Sequence, residues 1–232
     1  MIKKRTTIGI LVMITLLCVS IGTASNVSGW NGTWHSEQYE LIFVQTDDGK
    51  VSGTYLPLDP ETGDPGVIEG TLDEDEKVLS GTWIEDGTCF FKLSEDGNAF
   101  NGTYESVNSQ GQKYGADWNA SRIMTDDSAN ETGWTGTWRS NTETLYLVQN
   151  GSVVSGTYEP FNPGENDLEE PGVIEGTLSV DETEFTGTWK EFGGLKYILS
   201  EDAMFFNGTY GFGTADSMDD SIDDSWNGTR IL

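Results

Sequence analysis

Apolar and polar positions alternate with a period of two along most of this chain, and the alternation carries a fixed punctuation. Gly-Thr-Trp or Gly-Thr-Tyr recurs with its aromatic at Trp34, Tyr55, Trp83, Tyr104, Trp138, Tyr158, Trp189 and Tyr210. Successive side chains of a strand point to opposite faces, so each Gly shares a face with its aromatic while the Thr points away. One face is aromatic with gaps and the other is hydroxylated. Between residues 30 and 123 the alternation and its turn residues predict eight short strands, near 32–36, 41–45, 51–55, 67–72, 79–85, 89–94, 100–104 and 117–123. No stretch carries a convincing helical period.

The same pattern occurs twice. Trp30, Trp34, Trp83 and Trp118 find counterparts at Trp134, Trp138, Trp189 and Trp226, and Pro65-Gly66-Val67-Ile68-Glu69-Gly70-Thr71-Leu72 recurs unchanged from Pro171 to Leu178. The expected organisation is a leader over 1–24, a first copy over 25–123, an acidic linker over 124–132 and a second copy over 133–232. Eight strands with hairpin-like connections predict an all-β chain of two tandem eight-stranded up-and-down antiparallel β-barrels, one per copy. A weaker inner period, Trp34 to Trp83 and Tyr55 to Tyr104, leaves a four-bladed β-propeller as the alternative.

Gly32-Thr33-Trp34 on the first strand with Arg122 ending the eighth, repeated as Gly136-Thr137-Trp138 with Arg230, resembles the calycin superfamily of avidin-like and lipocalin-like barrels. The resemblance implies that the tryptophan packs against the returning basic residue and closes one end. That pairs Trp34 with Arg122 and Trp138 with Arg230. An arginine stem and guanidinium can cover an aromatic face while staying partly solvated. Val51-Ser52-Gly53-Thr54-Tyr55 is similar to the third strand of avidins, whose tyrosine faces the ligand. The remaining avidin contacts to biotin and the lipocalin Thr-Asp-Tyr motif do not line up, so the resemblance implies a barrel and not biotin.

Lys3, Lys4 and Arg5 precede a mostly apolar run over 8–22 and the small residues Gly22-Thr23-Ala24, the layout of a secretory signal peptide. No later segment is apolar enough for a transmembrane helix. The expected address is secreted or extracellular, including the cell surface, and eight Asn-X-Ser/Thr sequons suit a glycoprotein. The whole chain has 12 basic and 39 acidic residues, a formal charge of −27. Such a surface repels phosphate and excludes nucleic acid as a partner. Cys89 alone would remain after leader removal, so no disulfide forms within the mature chain.

In a meander the connections alternate between the two ends. The loops at 46–50, 73–77 and 95–98 are tight, whereas those at 56–66 and 105–116 are long and share the end opposite the tryptophan–arginine closure. The second copy lengthens them to 159–172 and 211–225. Loops on a rigid scaffold carry specificity, so this end is the candidate site. On the glycine–aromatic face near it lie Ser36, Tyr55, Glu85, Tyr104 and Trp118, with Ser140, Tyr158, Glu191, Tyr210 and Trp226 in the second copy. If that face is internal, these residues line a ligand pocket, or they are ordinary core. Glu85 and Glu191 stand out, because a carboxylate on an aromatic face must be paired, solvated or used.

Asp216, Asp219, Asp220, Asp223 and Asp224 crowd one loop, and Glu165, Asp167, Glu169 and Glu170 another; oxygen-rich loops suit Ca²⁺, but no stretch matches a calcium-binding repeat and a solvated charge run is the simpler account. Neither His35 nor Cys89 sits in a catalytic motif, and no dinucleotide, phosphate-loop or zinc signature occurs. The expected function is non-catalytic binding of a small apolar or aromatic molecule, or of a cell-surface glycan, at the long-loop end of each barrel. A structural or adhesive cell-envelope module without a pocket, ordered by Ca²⁺, is the alternative.

Overall fold

A computed structural model describes residues 29–60, 63–123, 133–160, 171–213 and 224–232. The expected leader, the linker and the acidic loops at 161–170 and 214–223 lie outside them. The first copy forms β1 (Gly32–His35), β2 (Tyr39–Gln45), β3 (Lys50–Pro57), β4 (Gly66–Leu72), β5 (Val78–Leu93), β6 (Ala99–Val107), β7 (Lys113–Tyr114) and β8 (Ala120–Arg122). The second forms β9 (Gly136–Arg139), β10 (Glu143–Asn150), β11 (Val153–Pro160), β12 (Gly172–Leu178), β13 (Glu184–Leu199), β14 (Phe205–Phe212), β15 (Asp224–Ser225) and β16 (Gly228–Ile231).

The described residues are all-β, and their strands join one large antiparallel sheet whose backbone pairing runs in a ring, so four separate propeller blades do not form among them. Two elements differ from the pattern-based expectation. The Asp86-Gly87 pair reads as a hairpin turn between two strands, but β5 runs straight through it for 16 residues, as β13 does around Phe192 and Gly193. These two long strands pair with each other across the middle of the ring, from Val78 opposite Ile198 to Lys92 opposite Glu184.

This crossing divides the ring into two closed circuits of eight strand segments, and each circuit mixes the copies. The first runs β16, β1, β2, β3, β4, the leading half of β5, the trailing half of β13 and β14, which returns to β16. The second runs β8, β9, β10, β11, β12, the leading half of β13, the trailing half of β5 and β6, which returns to β8. The pairing therefore closes neither copy on itself. Each copy contributes its first five strand segments to one circuit and its last three to the other.

The cores follow the circuits. In the first, Trp30, Trp34, Phe43 and Tyr55 pack with Tyr197, Phe206 and Trp226 of the other copy. In the second, Trp134, Trp138 and Tyr158 pack with Phe91, Phe100 and Trp118. The glycine–aromatic face is the interior one: Trp34, Tyr55, Trp83, Trp138, Tyr158 and Trp189 are buried, and Thr82 and Thr188 are exposed. Aromatic rings at edge-to-face and offset-stacked separations fill both interiors, which suits their quadrupoles.

Candidate functional site

The two circuits are sealed at their far ends. Arg230 lies over the Trp34 ring with its guanidinium carbon 4.1 Å from the centroid, and Arg122 lies over Trp138 at the same distance. The anticipated motif forms, but with exchanged partners: each arginine closes on the tryptophan of the other copy, because the last strands have changed circuits. Arg230 donates to the carbonyls of Ala203, Asn31 and Gly29, and Arg122 to those of Gly97, Thr135 and Gly133. The tryptophans are fixed in turn, as Trp34 Nε1 donates to the Trp30 carbonyl and Trp138 Nε1 to that of Trp134, each at 3.1 Å. Burial lowers the pKa of Arg230, though not far enough to discharge a guanidinium.

The opposite ends of the circuits meet. Because β5 and β13 leave one circuit and continue into the other, the long-loop ends face each other across a shared cavity of about 920 Å³. All ten residues expected at two separate pockets line this one space: Ser36, Tyr55, Glu85, Tyr104 and Trp118 from the first copy, Ser140, Tyr158, Glu191, Tyr210 and Trp226 from the second. The two pockets expected, one per copy, are thus one cavity lined by residues of both copies.

Further wall residues escaped the sequence reading. Trp83 and Trp189 lie two residues before Glu85 and Glu191 on the same strand face, so the period of two carried a signal for them. Tyr39, Tyr114, Asp64 and Glu143 also line the space, and nothing in their local sequence marks them. Asp64 accepts a 2.5 Å hydrogen bond from Ser106 Oγ, tying the β3–β4 loop of one circuit to β6 of the other. Burial raises the pKa of Asp64, and the Ser106 hydroxyl partly offsets the shift.

Glu85 is 7 % exposed and stands opposite Glu191 in the β5–β13 ladder, so both carboxylates issue from the same face at the centre of the cavity wall. Tyr158 Oη donates to Glu191 Oε1 at 2.8 Å. Burial first, and the neighbouring Glu191 charge second, push the Tyr158 phenol far above its ordinary range. Trp118 and Trp226 are counterparts, more than nine-tenths buried, and their indole N–H groups have no acceptor among the described residues. An unpaired buried donor costs about 1–3 kcal/mol, so both rings hold their places at some expense to stability.

Asp216, Asp219, Asp220 and Asp223 lie outside the described residues, and Asp224 enters only through its backbone pairing with Tyr210. Among the described residues, no three His, Cys, Asp or Glu side chains converge as metal ligands. Cys89 is buried in the second core, which pushes its thiol up to about 12. No helix of the described residues is long and apolar enough to cross a membrane. Searched against protein-family models, curated proteins and solved structures, the chain matches none.

Proposed function

We propose that this chain is a secreted, non-catalytic binding protein, built as two calycin-like β-barrels that exchange strands and enclose one small-molecule site between their mouths. The observation that carries the reading is the shared cavity. Its volume of about 920 Å³ suits a drug-sized ligand, and aromatic walls with a few inward polar groups are the usual make-up of such sites. The sealed far ends leave the meeting mouths as the side on which a ligand is held. An envelope module without a pocket has no need to keep Glu85 buried among aromatics.

Native mass spectrometry of the protein from its own source, set against its denatured mass, tests the reading. The expected result is one non-covalent small molecule per chain, since both copies build the one cavity. If the chain is bare, and a chemically diverse fragment library then leaves its tryptophan fluorescence unmoved, the binding function is wrong and the envelope-module reading takes its place.

A further inference from the structure

We infer that the molecule this cavity holds is an organic cation, an amine or quaternary ammonium. The inference rests on the small-molecule reading above and narrows it. The first ground is the charge of the wall. Glu37, Asp64, Glu85, Asp117, Glu143 and Glu191 line the space, and no Lys, Arg or His does so among the described residues. Exposed carboxylates are common in so acidic a chain, but Glu85 is not exposed, and it faces a second carboxylate across the ladder.

The second ground is the aromatic surface. Trp83, Trp118, Trp189 and Trp226 line the cavity together with six tyrosines. The faces of such rings attract positive charge, most strongly where water is excluded. The chain already uses this contact at its sealed ends, where Arg230 covers Trp34 and Arg122 covers Trp138. At the meeting mouths the same ring chemistry surrounds two carboxylates, and the described residues that line the wall include no Lys, Arg or His. The field of the whole acidic surface draws cations toward the site.

The test uses the full mature chain with choline and its neutral isostere dimethylbutanol, in which carbon replaces the quaternary nitrogen and the hydroxyl is kept. Binding is read by saturation-transfer NMR titration. Choline should bind about tenfold more tightly than dimethylbutanol, the scale of a desolvated cation–aromatic contact. Glu85→Gln and Glu191→Gln should each abolish most of that preference without weakening dimethylbutanol. Glu175→Gln, on the exposed face of β12, should leave choline unchanged, and thermal melts confirm that all three variants fold. Dimethylbutanol binding as well as choline would overturn the cation assignment and leave the small-molecule site standing. An equal loss on Glu175→Gln would assign the binding to general surface charge and overturn the inference. Failure of both probes to bind would overturn the inference and count against the site itself.

Discussion

Glu85 and Glu191 face each other at the midpoint of the β5–β13 ladder, with seven residue pairs on either side. They occupy the same place in the two copies, and no other pair in the ladder joins a residue to its own counterpart. A pseudo-twofold axis therefore passes between them. On one side of it lie the first five strand segments of the first copy and the last three of the second; on the other side the roles are reversed. The shared cavity, the exchanged arginines and the mixed cores all follow from that axis.

Arg230 should prove a stabilising residue of the first copy although it belongs to the second. Replacement by Ala removes the cover from Trp34 and strands three carbonyls, a loss of about 3 kcal/mol in denaturant melts. Arg230→Lys should recover less than half of this, because an ammonium cannot reproduce the fork. In hydrogen exchange the Ala variant should expose the amides of β1 and spare those of β9. Faster exchange in β9 alone would contradict the exchanged closure.

The crossing depends on two counterpart glycines, Gly87 and Gly193. A Cβ on Gly193 would lie 1.7 Å from the Gly211 carbonyl oxygen and 2.6 Å from Trp83 Nε1, and one on Gly87 would lie 2.2 Å from the Glu105 oxygen and 2.6 Å from Trp189 Nε1. Backbone and indole must give way together, so Gly→Ala at either position should cost at least about 2 kcal/mol. Gly49→Ala, at a turn with a φ of +76° and nothing within 4 Å, should cost only about 1 kcal/mol. Equal costs at Gly49 and Gly193 would contradict the crowded crossing.

Alkaline titration should find tyrosines that do not ionise in the folded chain. Burial raises the phenols of Tyr158 and Tyr197, the former further through Glu191. A raised folded pKa favours the neutral phenol. Its contribution to stability is complete below the unfolded value near about 10 and is lost as pH rises beyond it. Tyrosinate absorbance should leave at least Tyr158 and Tyr197 silent until the chain unfolds, and Tyr158→Phe should remove one silent group. All eight tyrosines titrating reversibly near pH 10 with the fold intact would contradict this packing.

Much of the cavity wall was legible because its signal is local. The parity of Gly-Thr-Trp and Gly-Thr-Tyr assigns Tyr55, Glu85, Tyr158 and Glu191 to one strand face whatever the strands pair with. The exchange of partners was not legible, for a physical reason. Trp34 can meet Arg122 or Arg230 with nearly the same contacts, since the copies offer the same chemistry, and only the connection between β5 and its continuation differs. Asp86-Gly87 carries the composition of a tight turn, and a turn there would close each copy on itself. The same glycine serves an extended strand equally well where a neighbouring carbonyl leaves no room for a Cβ, as the Glu105 oxygen does at Gly87. The residue pattern therefore marked which side chains share the inner face without showing that the two copies line one cavity.

The pairing of the long strands can be tested directly. In a Cys89→Ala background, cysteines at Ser80 and Lys196 would stand opposite each other on the exposed face of the β5–β13 ladder, close enough for a disulfide or a short thiol cross-linker. Cysteines at Ser80 and Phe90 would be partners only if the first copy closed on itself; along one extended strand they are about 33 Å apart. Strand exchange predicts efficient bridging of Ser80→Cys with Lys196→Cys and none of Ser80→Cys with Phe90→Cys. The reverse result would show each copy closing alone, and the shared cavity with its paired carboxylates would not exist.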